Sequence, residues 1–154
     1  MLNEICLELN NFFDRNQPRF IGDFTISDGK ITDTDFLAKI KVNQYFRIVG
    51  SVFNDGVYKY SNTLVLQDEA FHGAIWLMAV PADFLALVAE ISDWQTKNGG
   101  VDSTAMSPYT SESFGGYSYS KSSGGSAEGG SGGSTWQSAY ATRLKPYRRA
   151  RVIT

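Results

Sequence analysis

His72 is the chain's one histidine and Cys6 its one cysteine, and these are the first residues to ask for chemistry. A general base has to reach the proton it removes. A lone histidine beside a strand is more often a surface or turn residue. Cys6 falls on the apolar stripe of the opening helix, where a thiol behaves as a small hydrophobe. One cysteine also forbids an internal disulfide and a multi-cysteine zinc site, and it fits a reducing compartment. The carboxylate pairs Asp33/Asp35 and Asp68/Glu69 could bind calcium or divide acid and base roles, but on loops such pairs are mostly solvated. Gly129-Gly130-Ser131-Gly132-Gly133 spells G-x-S-x-G. A nucleophile elbow needs a strand before it, a helix after it and a later histidine; here the match lies in a Gly/Ser run and no histidine follows. HExxH, P-loop and Cys/His-cluster patterns are absent from the sequence, so no catalytic residue, metal or cofactor is expected.

The elements that would hold such residues read as an α+β core. Hydrophobic residues make up 42% of the 154 residues, enough for a core and too many for wholesale disorder. Leu2, Ile5, Cys6, Leu9, Phe12 and Phe13 repeat with helical spacing over about 2–14. Pro18 then biases the chain away from helix. Between Phe20 and Pro81 the period becomes two. Strands are expected around 24–26, 30–32, 45–49, 57–60, 63–66 and 73–79. The turns are Ser27-Asp28-Gly29, Asn54-Asp55-Gly56 and Gln67-Asp68-Glu69. Five or six such strands make a small barrel or a strongly bent sheet. A short helix over 33–41 would be capped by Thr34, with Phe36, Leu37 and Ile40 inward. A longer one over 82–98 carries Phe84, Leu87, Val88, Ile91 and Trp94, and ends at Asn98-Gly99-Gly100.

Composition changes sharply after residue 98. Residues 99–134 contain 10 of the 15 glycines and 11 serines. Within them, 122–134 reads as a flexible linker, whereas 107–120 carries three tyrosines and a phenylalanine that need somewhere to dock. Helical spacing returns with the Ser134-Thr135-Trp136-Gln137 capping box, and Pro146 ends or kinks that helix. The chain therefore divides into a core (1–98, β-rich over 20–80), an arm and linker (99–133) and a basic helical clip (134–154).

Charge is distributed unevenly. The net charge is −2, yet residues 135–154 hold five basic residues and no acid, which leaves −7 on the rest. Such a balance argues against a generally basic nucleic-acid binder and suggests a tail that seeks an acidic surface. No apolar run approaches the roughly 18 residues of a membrane helix. The opening Met1-Leu2-Asn3-Glu4 lacks a basic n-region, so no signal peptide is expected.

Three features together resemble one family. They are Ser111-Glu112-Ser113-Phe114-Gly115-Gly116-Tyr117-Ser118, the ending Leu144-Lys145-Pro146-Tyr147-Arg148-Arg149, and the amphipathic opening helix. The chain looks like the head–tail connector, or adaptor, proteins of long-tailed bacteriophages. The stretch from Gly50 to Tyr58 is similar to small barrels of phage structural proteins. The resemblance implies a virion protein of the neck, assembled in the host cytoplasm. It implies identical copies in a ring, typically about twelve, since a heterologous interface that closes makes one. The ring would sit on the portal protein and receive a tail-side stopper or tail protein. DNA would pass through its lumen unrecognised, and no membrane would be involved. A neck stopper or tail-completion protein is a neighbouring alternative. A nucleic-acid-binding module using the basic tail is another.

On this reading the arm adds to a neighbour by strand-type pairing and aromatic anchoring, through Ser111, Glu112, Ser113, Phe114, Tyr117 and Tyr119. Trp136, Tyr140, Leu144 and Tyr147 would anchor the clip. Arg143, Arg148 and Arg149 would pair with acids on the portal. Alternatively, the same aromatics pack on the chain's own core.

Overall fold

The computed structural model describes residues 1–99, 111–114, 117–120 and 135–150. It is α+β, with helices accompanying a curled, five-stranded antiparallel sheet. The chain divides into two compact units, Met1–Leu85 with Arg149–Thr154, and Ala86–Arg148. One boundary of these units lies within residues 82–98.

In the first unit the sheet comprises β1 (Arg19–Ser27), β2 (Lys30–Ile31), β3 (Tyr45–Val49), β4 (Gly56–Lys59) and β5 (Glu69–Met78). Their order is β2-β1-β5-β3-β4, so the sheet is bent and open rather than a closed barrel. Alternation builds its core. Phe24 and Ile26 of β1, Phe46 and Ile48 of β3, and Phe71, Ile75 and Leu77 of β5 share one buried face. Phe36 closes that face from α2 (Thr34–Lys39), fully buried, with the rings of Phe46, Tyr60 and Phe20 at 5.2, 6.1 and 6.2 Å. The cap of α2 is Asp33, not the expected Thr34: its carboxylate accepts from the Phe36 N–H at 2.7 Å. Leu37, expected inward, is 41% exposed.

Helix α1 (Leu2–Glu8) stops well short of residue 14. Asn10 adopts φ +52°, the Asn10 N–H donates to Leu7 O, and the Asn11 N–H to Cys6 O. These bonds form a Schellman ending with asparagine in the left-handed position. The apolar stripe survives, with Ile5, Cys6, Leu9 and Phe12 buried.

The strand expected over 63–66 is absent. That segment is a loop fixed to the β1–β2 turn. The Leu66 N–H donates to Gly29 O at 3.0 Å. Asp68 accepts from the N–H groups of Asp28 and Gly29. The Lys30 ammonium donates to the carbonyls of Asn62 and Leu64. Tertiary hydrogen bonds and burial of Leu66 replace ladder pairing here. Glu69, expected in a turn, instead begins β5.

Helix α3 runs over Ala82–Asn98, as its periodicity predicts. Residues of the expected arm form two strands, β6 (Ser111–Phe114) and β7 (Tyr117–Ser120), paired antiparallel in a sheet of their own. The C-terminal helix is broken into α4 (Trp136–Ala139), α5 (Ala141–Leu144) and a 3-10 turn (Lys145–Tyr147) containing Pro146. Its capping box uses Thr135 and Ser138, one position beyond the expected Ser134 and Gln137.

Candidate functional site

The proposed contact residues fall into two groups. Ser111, Glu112, Ser113 and Phe114 lie on β6, and Tyr117 and Tyr119 on β7. Their register pairs Glu112 with Tyr119 and Phe114 with Tyr117. The sequence suggests one extended strip, whereas the two segments pair antiparallel.

The second group is partly buried and partly exposed. Trp136, Tyr140 and Leu144 are buried. Tyr140 meets Trp94 of α3 edge-on, with ring centroids 6.3 Å apart. Arg143 Nη1 lies 2.5 Å from Glu90 Oε1, and its guanidinium stands 5.7 Å from the Tyr140 ring. The Arg143 hydrogen bond holds the Glu90 carboxyl below its ordinary value. Burial and then Glu90 raise the Tyr140 phenol. Tyr147 is half-buried, and Lys145 and Arg148 are exposed. Arg149 is tied to the first unit, its N–H donating to Leu9 O at 3.0 Å and its guanidinium to Asp14 Oδ1 at 3.3 Å. Asp14 also pairs with Arg19.

The residues with chemistry to offer have other roles. The Cys6 thiol is fully buried, and burial pushes it up to about 12 while Arg47 pulls the other way. His72 Nδ1 lies 2.8 Å from Asp23 Oδ1 directly across the β1–β5 ladder, both side chains exposed. Among the described residues no hydrogen bond joins His72 to a hydroxyl or thiol. Asp68 caps the β1–β2 turn. Glu69 accepts from the Ser51 hydroxyl and the Phe53 N–H, which fixes the 50–55 loop. Among the described residues no cluster of three metal-ligating side chains occurs, and no helix is long and apolar enough to cross a membrane.

One arrangement escaped the sequence reading. Arg19, Trp76 and Arg47 are direct cross-strand neighbours on β1, β5 and β3. Arg19 stands 4.3 Å from the Trp76 ring, and Arg47 5.1 Å from it on the other side and 3.8 Å from Phe12. Burial lowers the Arg47 guanidinium below its ordinary value, opposed chiefly by Asp55. Cation–π contacts of this kind contribute about 0.5–2 kcal/mol each, so the row braces the sheet face beside α1. The signal was present: Arg47 and Trp76 sit off the apolar parity of their strands.

The described residues therefore define an α+β protein with a five-stranded sheet, a two-stranded β6–β7 sheet and a basic helical ending. No family model, curated protein or solved structure matches the chain.

Proposed function

We propose that this chain is a structural protein of the neck of a long-tailed bacteriophage. It is a head–tail connector whose copies form a ring on the portal, join capsid to tail and surround the DNA channel without catalysis. One observation carries this reading. The Ser111–Phe114 and Tyr117–Ser120 segments make a two-stranded sheet of their own, outside the five-stranded one. A ribbon with four residues in each strand is marginal in water by itself and calls for another surface to complete it.

Other features support it. The Leu144-Lys145-Pro146-Tyr147-Arg148-Arg149 ending follows one short helix later, with Lys145 exposed for an acidic portal surface. Residues 1–134 carry −7, a sign that disfavours sticking to DNA in a lumen. The Cys6 thiol is buried, Asp68 holds the β1–β2 turn and Glu69 holds the 50–55 loop.

The test is imaging of the purified protein alone and with portal. A ring, or a monomer that becomes one on the portal, is the expected result. Monomers in both samples overturn the reading. Steeply salt-dependent DNA binding, with a slope set by the tail's basic residues, would assign it instead to nucleic-acid binding. Trp136, Tyr140 and Leu144 contribute buried surface, so cutting the chain near residue 121 also removes packing. Substitution of exposed Lys145 by Glu is the cleaner probe of portal docking.

A further inference from the structure

Strand β1 is nine residues long, but only one of its edges is fully used. It pairs with β5 from Arg19 to Ile26, whereas β2 covers its other edge only at Ile26 and Ser27. The last bond on that side is from the Thr32 N–H to Thr25 O at 3.1 Å. Alternation fixes which groups face outward. In an antiparallel ladder, successive residues point their N–H and C=O to opposite edges. The Leu77 N–H donates to Pro18 O, which places Phe20, Gly22 and Phe24 toward β5. Ile21 and Asp23 therefore direct both backbone groups toward the open edge. Among the described residues, those groups accept and donate no hydrogen bond. Ile21 is also 76% exposed, an unusual position for a large apolar side chain on an unprotected edge.

The same chain carries a matching donor. Among the described residues, the β6–β7 ribbon has two strands and no third. A four-residue strand spans about 13 Å and supplies two bonded pairs, enough to engage both Ile21 and Asp23. We propose that the open edge of β1 takes the β6–β7 ribbon of a second copy of this chain as added strands. The self-association proposed above makes another copy the donor. Acceptor edge and donor ribbon are different surfaces, so the contact is heterologous. It repeats head to tail and closes into a ring or runs on as a filament. This inference rests on the self-associating connector proposed above and names the surface that joins its copies.

The test is hydrogen exchange on the full chain across a concentration series and with portal, read at the Ile21 and Asp23 amides. Both amides should slow at least tenfold when copies associate and exchange fast in the dilute monomer. Ile21→Pro removes one outward N–H without touching the β1–β5 ladder. It should raise the association midpoint at least tenfold with an unchanged melting curve. Should that variant misfold, the wild-type exchange data still decide. Rings whose Ile21 and Asp23 amides exchange as fast as in the monomer overturn the inference and leave the connector reading intact. Protection already present in the dilute monomer shows that the edge is covered within one chain, and also overturns it. Monomers under every condition, with portal included, sink both.

Discussion

Arg149 Nη1 lies 3.3 Å from Asp14 Oδ1, joining positions 135 residues apart in the chain. With the Arg149 N–H on Leu9 O, this contact holds Arg149 to the region just after α1. Asp14 is largely shielded from solvent and serves two guanidinium groups, those of Arg149 and Arg19. Asp14→Asn should cost about 1 kcal/mol of stability. A double-mutant cycle with Arg149→Ala, read by urea unfolding, should give a coupling of about 0.5–1 kcal/mol. Strict additivity would show that the contact contributes nothing.

Cys6 should be chemically silent in the folded protein. At pH 8 its thiol is protonated, because its value is raised to about 12, and it is wholly shielded. Labelling with a thiol reagent should be negligible in buffer and complete in denaturant. Rapid labelling of the native chain would contradict this packing.

Gly73 has no room for a side chain. A Cβ there would stand 2.2 Å from Val49 O, a backbone atom of the neighbouring strand. Gly73→Ala should therefore force β3 and β5 apart and destabilise by about 2–4 kcal/mol. A melting midpoint within a degree of wild type would refute this.

The contact between Glu90 and Arg143 should fade in acid. The folded Glu90 carboxyl titrates below its ordinary value because Arg143 donates to it. Its contribution is therefore complete above the ordinary carboxylate range and disappears as pH falls through the lower, folded value. Tryptophan fluorescence, sensitive to Trp94 and Trp136, should change over that acid range in wild type and lose the transition in Glu90→Gln. High salt should blunt it, since both partners are about half exposed.

Much of the fold was readable from local pattern. The α+β class, α3, the β1–β2 turn and the β3–β4 turn all follow from period and turn chemistry. The misses share a cause: a long-range contact decided between local options. Residues 63–66 alternate like a strand, yet Lys30 and Gly29 hold their neighbourhood as a loop. The end of α1 depended on Asn10 entering the left-handed region, which asparagine permits and does not require. At the candidate site, residue types pointed to aromatic and basic anchors. They could not show that Trp136, Tyr140 and Leu144 are buried by the chain itself. The antiparallel pairing of Ser111–Phe114 with Tyr117–Ser120 lies where residue types alone suggest one extended strip.

The stitching of the 61–68 loop to the β1–β2 turn has an engineering consequence. Carbonyls at Asn62 and Leu64, the amide at Leu66 and the carboxylate at Asp68 all meet the few residues from Asp28 to Lys30. Val65 also closes against Gly29, where a Cβ would come within 2.7 Å of its Cγ1. This surface loop therefore has no slack. An epitope tag or fluorophore inserted there would tear both ends of the clasp, although its exposure on the outside would recommend it as a grafting point.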